Sequence, residues 1–153
     1  MDEKFLCRGK HLKTGEWIKG FYIHGHDTTY CPIGDHPEPK DRHYIAVDRM
    51  TDWNLPNRIS IYEIDGNTVG KYSTRKDIHG NYICEGDVVI RTYKDDVKTS
   101  SVGLIKYHGD CFWTVCDSTC ALYTSKMKYE IIGNIHDIKT LGGEEISDRL
   151  IRE

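Results

Sequence analysis

A chain of 153 residues with 29% charged and 38% apolar residues has room for one ordinary domain or two small lobes, and that balance excludes a disordered polymer. The net charge is −3 and evenly spread: residues 1–70 hold nine Lys and Arg against eleven Asp and Glu, and residues 71–153 hold twelve against thirteen. This excludes a dominant basic surface of the kind that binds nucleic acid tightly by displacing counterions.

No run approaches the roughly 18 apolar residues of a membrane span. Met1-Asp2-Glu3-Lys4 leads into no apolar signal segment, so the expected compartment is the cytoplasm. In that setting the six cysteines read as reduced thiols rather than a disulfide framework.

The chain reads as β almost throughout. Lys4–Cys7 is a first strand, Thr14-Gly15 a turn, and Glu16–His24 a second strand rich in aromatic and β-branched residues. Gly20 within it suggests a bulge or bend. Thr28–Cys31 reads as pairing back onto that strand, and Pro32 to Arg42, with three of the four prolines, as an exposed loop. The basic cluster Arg8, Lys10, His11 and Lys13 reads as a solvated loop.

Further strands are expected at His43–Val47 and Arg58–Ile64, the latter followed by the turn signal Asp65-Gly66-Asn67. A turn from Asp77 to Asn81 precedes Tyr82-Ile83, and Glu85-Gly86-Asp87 opens into a strand over Asp87–Tyr93. Ser101–Tyr107, Cys111–Cys116 and Lys128–Ile132 complete the β pattern. Short strands at close intervals predict a small barrel or sandwich. After Gly142-Gly143, Ile146, Leu150 and Ile151 share one helical face, so a short C-terminal helix is expected.

Thr68-Val69-Gly70-Lys71-Tyr72, Lys76-Asp77, Gly80, Ile83 and Glu85-Gly86-Asp87-Val88-Val89 follow one another in order. Together they resemble the segment T-V-G-Q-Y-T-G-L-K-D-K-N-G-K-x-I-Y-E-G-D-I-V of the YopX family of prophage-encoded proteins. Arg8-Gly9-Lys10 with Thr14-Gly15-Glu16-Trp17 resembles that family's start, and Ile131-Ile132-Gly133-Asn134-Ile135-His136-Asp137 its end. Thr74-Arg75 stand where the family usually has Gly-Leu, and Cys84 where it usually has Tyr. Losing that Gly questions the local backbone, because Thr resists a positive φ.

The resemblance implies a mainly β fold, with a small SH3-like β-barrel over residues 71–153 behind a β-rich N-terminal lobe over residues 1–70. It implies a phage or prophage origin and a host-cell cytoplasmic setting, and brings no reaction or cofactor.

Gly80, Glu85, Gly86 and Asp87 read as a structural motif: a turn, then a tight entry into a strand where Asp bonds a nearby backbone N–H. The alternative, a pair of catalytic carboxylates at Glu85 and Asp87, is disfavoured because turn residues need not share a face.

His24-Gly25-His26-Asp27 is the most chemical-looking string, since two His at i and i+2 on a strand point the same way and suit a metal. Cys31 and His36 are the nearest further ligands, and the plainer reading is a polar strand end. Cys111, Cys116 and Cys120 supply one C-x₃-C pair where zinc ribbons use two, so packed thiols are favoured. Lys106, Tyr107 and Trp113 interleave base-stacking aromatics with a cation, against the plainer reading of barrel packing.

The expected function is therefore a non-enzymatic binding or assembly module with a phage or host protein as partner, and its many strand edges invite homo-oligomerisation. The alternatives are a nucleic-acid-binding barrel and, behind it, a small metal-dependent hydrolase.

Overall fold

The computed structural model describes residues 6–27, 34, 38–50, 53–93, 96–115, 120–122, 126–137, 140–141 and 144–145. The chain divides into two compact units, essentially Lys4–Val69 and Gly70–Glu153.

The N-terminal unit contains β1 (Cys7–Lys10), β2 (Trp17–Asp27), β3 (Lys40–Arg49) and β4 (Arg58–Ile64), joined antiparallel in the order β4-β3-β2-β1. The outer strand curls back, because Ile64 bridges His11 and the Leu12 N–H donates to the Glu63 carbonyl at 3.0 Å. Leu6, Cys7, Ile45 and Ile64 are buried.

Several expectations shift here. The first strand begins at Cys7, and Arg8 and Lys10 lie on it with their cations 4.9 and 5.4 Å from the Trp17 ring; they are not a free loop. The expected 32–42 loop ends early, since Lys40 to Arg42 already pair with Gly25 to Asp27. Thr28–Cys31 lies outside the described residues. Gly20 is no bulge, for it pairs regularly with Cys7. Its hydrogen admits a close approach, and a Cβ there would sit 2.3 Å from the Ala46 carbonyl oxygen. Asp65 caps the following 3₁₀ turn, Gly66–Thr68, by accepting from the Asn67 N–H at 3.0 Å.

The C-terminal unit contains β5 (Gly70–Lys76) paired with β6 (Tyr82–Cys84), then β7 (Asp87–Tyr93), β8 (Asp96–His108), β9 (Cys111–Val115), β10 (Cys120–Ala121) and β11 (Met127–Asn134). The last five form an antiparallel sheet in the order β10-β9-β8-β7-β11. Among the described residues this sheet is open, with β10 and β11 at its two edges.

Ile83, Val89, Ile105, Phe112, Leu122 and Tyr129 make one buried cluster, with Tyr107, Met127 and Ile131 packed against it. Val89, Ile105 and Phe112 come from one face of the sheet by the two-residue period of the pairing. Thr140–Leu141 (β12) pairs with Glu144–Glu145 (β13), so no helix begins at Glu144; Ile146, Leu150 and Ile151 lie outside the described residues.

The central motif is a set of backbone bonds. Asp87, 1% exposed, accepts from the Cys84 N–H at 2.7 Å. Gly86 holds φ +80, donates to the Ile105 carbonyl at 2.9 Å and accepts from the Ile135 N–H at 2.9 Å. Only glycine adopts that dihedral cheaply. Gly80, at φ 86, closes the preceding turn, donating to the Asp77 carbonyl at 3.1 Å. Thr74 is not among the residues with positive φ. The register shifts across it instead, and the Ser73 hydroxyl accepts from the Arg75 N–H at 3.2 Å.

Burial pushes the Asp77 carboxyl up. The Asn81 N–H at 2.7 Å, the Asn81 side-chain amide at 3.3 Å and the His79 N–H at 2.9 Å outweigh it. With the nearby His79 charge they leave the group below its ordinary value. A carboxyl lowered in the native state stabilises fully above its unfolded value, about pH 4, and loses that contribution as pH falls through the native value. Asp77→Asn keeps one acceptor and removes the charge. Its stability deficit, followed by urea denaturation from about pH 6 to about pH 3, is expected to shrink as the acid range is entered.

Thr114 is fully buried, and among the described residues its hydroxyl has no hydrogen-bond partner. Thr114→Val removes that unsatisfied group at nearly constant volume and is expected to stabilise the chain by about 1 kcal/mol in the same assay.

Candidate functional site

The N-terminal sheet carries two chemically different faces, separated by strand parity. Tyr22 lies opposite Ile45, His24 opposite His43, and His26 opposite Asp41; Ile45 and His43 in turn face Tyr62 and Ile64. These residues share one face. Phe21, Ile23, Tyr44, Ala46, Ile59, Ile61 and Glu63 occupy the other, by the same pairing.

The first face gathers imidazoles. His24 stacks on His43 with ring centroids 4.9 Å apart and planes 7° from parallel, and meets His26 edge-on at 5.0 Å. The Tyr22 hydroxyl lies 2.6 Å from His43 Nδ1. Burial raises the Tyr22 pKa, helped by the nearby Cys7 thiol and Asp41 carboxylate, so the phenol stays protonated and shares a hydrogen bond with that nitrogen. The far edge of the His43 ring packs against Gly66, where a Cβ would sit 2.3 Å from it.

At the open end of this face Asp41 Oδ1 lies 2.7 Å from His26 Nδ1 and 3.6 Å from His24 Nε2. One ligand atom from each of these three residues falls within 4.8 Å of the others, and all three are exposed. The string at His24 and His26 thus acquires its third group from Asp41, inside the stretch expected to be a loop. Cys31 and His36 lie outside the described residues. The signal that would have found Asp41 is the hairpin register, which depends on the length and path of the intervening loop and cannot be read from composition.

The second face is apolar and open. Phe21 and Ile23 are each 41% exposed, Ile59 72% and Ile61 61%. At one end Arg42 bridges Asp27 at 2.6 Å and Glu63 at 3.0 Å, a polar border to the apolar stripe. Those two hydrogen-bonded carboxylates raise the Arg42 pKa further above its ordinary value, and the guanidinium stays charged.

In the C-terminal unit the three residues of the base-stacking reading do not share a surface. Lys106 pairs with Trp113 on one face. Tyr107 lies on the other, packed on Phe112 at 5.0 Å and covered by Lys71 Nζ at 4.2 Å. Trp113 Nε1 donates to the His108 carbonyl at 3.0 Å.

Glu85 and Asp87 likewise serve the backbone: Glu85 Oε1 accepts from the Tyr107 N–H at 3.3 Å while Asp87 turns to Cys84. Cys7 and Cys84 are buried cysteines outside any disulfide, and Cys111 is a half-buried one. Cys116 lies outside the described residues.

The fold and these surfaces define an antiparallel all-β protein of two compact units, with its candidate chemistry on the N-terminal sheet. A family model described as YopX protein matches residues 32–141, most of the chain, and the chain belongs to the YopX family. No curated protein and no solved structure matches it. No helix among the described residues is long and apolar enough to cross a membrane.

Tyr22→Phe removes the hydroxyl bonded to His43 and keeps the ring stack. It is expected to cost at most about 1 kcal/mol at this half-exposed position, and to shift the His43 ring-nitrogen resonances in ¹⁵N NMR while leaving those of His79 in place.

Proposed function

We propose that this YopX-family chain is a phage-derived, non-enzymatic binding or assembly module that works in the host cytoplasm through the apolar face of its N-terminal sheet. The observation that carries this reading is the stripe of Phe21, Ile23, Ile59 and Ile61, exposed across three paired strands and bordered by the Asp27–Arg42–Glu63 ion pairs. A contiguous apolar patch with a polar rim is the usual make-up of a protein-binding surface.

The outer strand adds to it. Among the described residues Arg58–Ile61 pairs only with β3, so its other edge offers backbone donors and acceptors for strand addition by a partner protein or a second copy. No lysine, proline or bulge guards that edge. In the C-terminal unit the last strand of the five-stranded sheet, β11, returns to pair with the first of that sheet, β7. That order supports reading the open sheet as an SH3-like barrel.

The nucleic-acid reading draws less support. The charge is even along the chain, and Tyr107 faces away from Lys106 and Trp113.

The test is native mass spectrometry of the chain recovered from phage-infected cells, beside Ile59→Lys/Ile61→Lys. The expected wild-type spectrum carries a stoichiometric protein partner or a second copy, and the double variant, with an unchanged circular dichroism spectrum, loses it. A bare wild-type monomer, or a folded variant that keeps its partner, would falsify the reading. An oligonucleotide adduct would replace it with the nucleic-acid alternative.

A further inference from the structure

We propose that His24, His26 and Asp41 bind a divalent first-row transition ion, clipping β2 to β3 on the face opposite the apolar stripe. A close His–Asp ion pair accounts for His26, at 2.7 Å from the carboxylate, and not for His24. Yet His24 Nε2 points to the same oxygen, Asp41 Oδ1, at 3.6 Å. Two imidazole nitrogens and a carboxylate oxygen thus lie close enough together for one ion to engage all three.

The spacing fits. Bonds of about 2.0–2.2 Å around a tetrahedral ion set neighbouring ligand atoms about 3.4 Å apart, and the measured 2.7 and 3.6 Å bracket that value. The third separation lies within 4.8 Å, and rotation of exposed side chains closes the remainder without moving backbone.

The surroundings prepare the ligands. His24 is held flat against His43, whose Nδ1 is tied to the Tyr22 hydroxyl. Outer contacts of this kind fix ring orientation in metal sites. Arg42, the cation next to Asp41 in sequence, is drawn to the opposite face by Asp27 and Glu63. Among the described residues the ion-pair partners of Asp41 are the two histidines.

Two imidazoles and one carboxylate suit zinc, nickel, cobalt or copper rather than calcium or magnesium, which prefer all-oxygen shells. Three protein ligands leave at least one coordination position for water or an incoming group.

Zinc and cobalt are the probes. Chelator-stripped chain is dialysed against Zn²⁺, bound metal is counted, and thermal unfolding is followed with and without the ion. One ion per chain is expected, with a raised unfolding temperature because only the folded strands present the full set. His26→Ala and Asp41→Asn are each expected to weaken binding beyond the roughly 10–100-fold typical of outer contacts. His43→Phe, which preserves the stack, falls within that range.

His79→Ala removes an exposed His beside Glu130 in the other unit and leaves binding unchanged. Ile59→Lys/Ile61→Lys also binds normally, so failure of the docking surface and failure of the metal site are separable.

Co²⁺ is expected to give the weak visible bands of nitrogen and oxygen ligands. An intense near-ultraviolet sulfur-to-cobalt band would assign the ion to cysteines and overturn the proposal. So would the absence of a stoichiometric ion, or undiminished binding in both His26→Ala and Asp41→Asn.

Discussion

The pairing register of β2 with β3 is the constraint on which the N-terminal unit depends. With His24 opposite His43 and Phe21 opposite Ala46, the histidines of β2 and β3 fall on one face and the exposed isoleucines of this sheet on the other. A slip of one residue would exchange the two faces outright. Several contacts oppose that slip. Gly20 lets the β3 backbone approach where any side chain would collide with the Ala46 carbonyl. Ile45 and Ile64 are buried only on their present face, and Arg42 reaches both Asp27 and Glu63 only from its own. Sterics, burial and charge therefore agree on a single alignment.

In the C-terminal unit, buried carboxylates play the corresponding part. Asp77 and Asp87 are 8% and 1% exposed, and both spend their oxygens on backbone N–H groups at turns. A carboxylate that accepts backbone donors neutralises the cost of turning the chain sharply in a dry setting. The residues shared with the YopX segment include Asp77, Gly80, Glu85 and Gly86 at turns as well as strand positions, and the turn residues hold geometry on which the core of Ile83, Val89 and Ile105 is hung. It also gives Glu85 and Asp87 a use that needs no substrate.

Strand content was legible from the sequence where alternation was strong. Arg58–Ile64 and Asp87–Tyr93 were readable to the residue, and the turn at Asp65 follows from its Asx chemistry. Less legible was whatever depended on partners far along the chain. The prolines near residue 39 masked the start of β3, because the strand propensity of Lys40-Asp41-Arg42 is poor and only pairing with Gly25 to Asp27 makes it β. Asp41 was missed for that reason, although His24 and His26 were recognisable from spacing alone. Gly20 illustrates the opposite error: a glycine in a strand suggests a bulge, whereas here it serves a neighbour's backbone. The apolar face was invisible as such, since nothing local distinguishes an exposed isoleucine from a core one.

The return of β11 to β7 bears on how the chain is made. Each strand of the N-terminal unit pairs with its immediate successor, so that sheet can assemble as it leaves the ribosome. The C-terminal sheet cannot. Its β7 waits for Met127 to Asn134 before its second edge is covered, and loop closure over that span must come before the contacts that reward it. During synthesis β7, with Val88 and Val89 destined for full burial, therefore keeps one edge uncovered until β11 is made. The strand of that sheet made last is thus the one that closes over the core of Val89 and Tyr129.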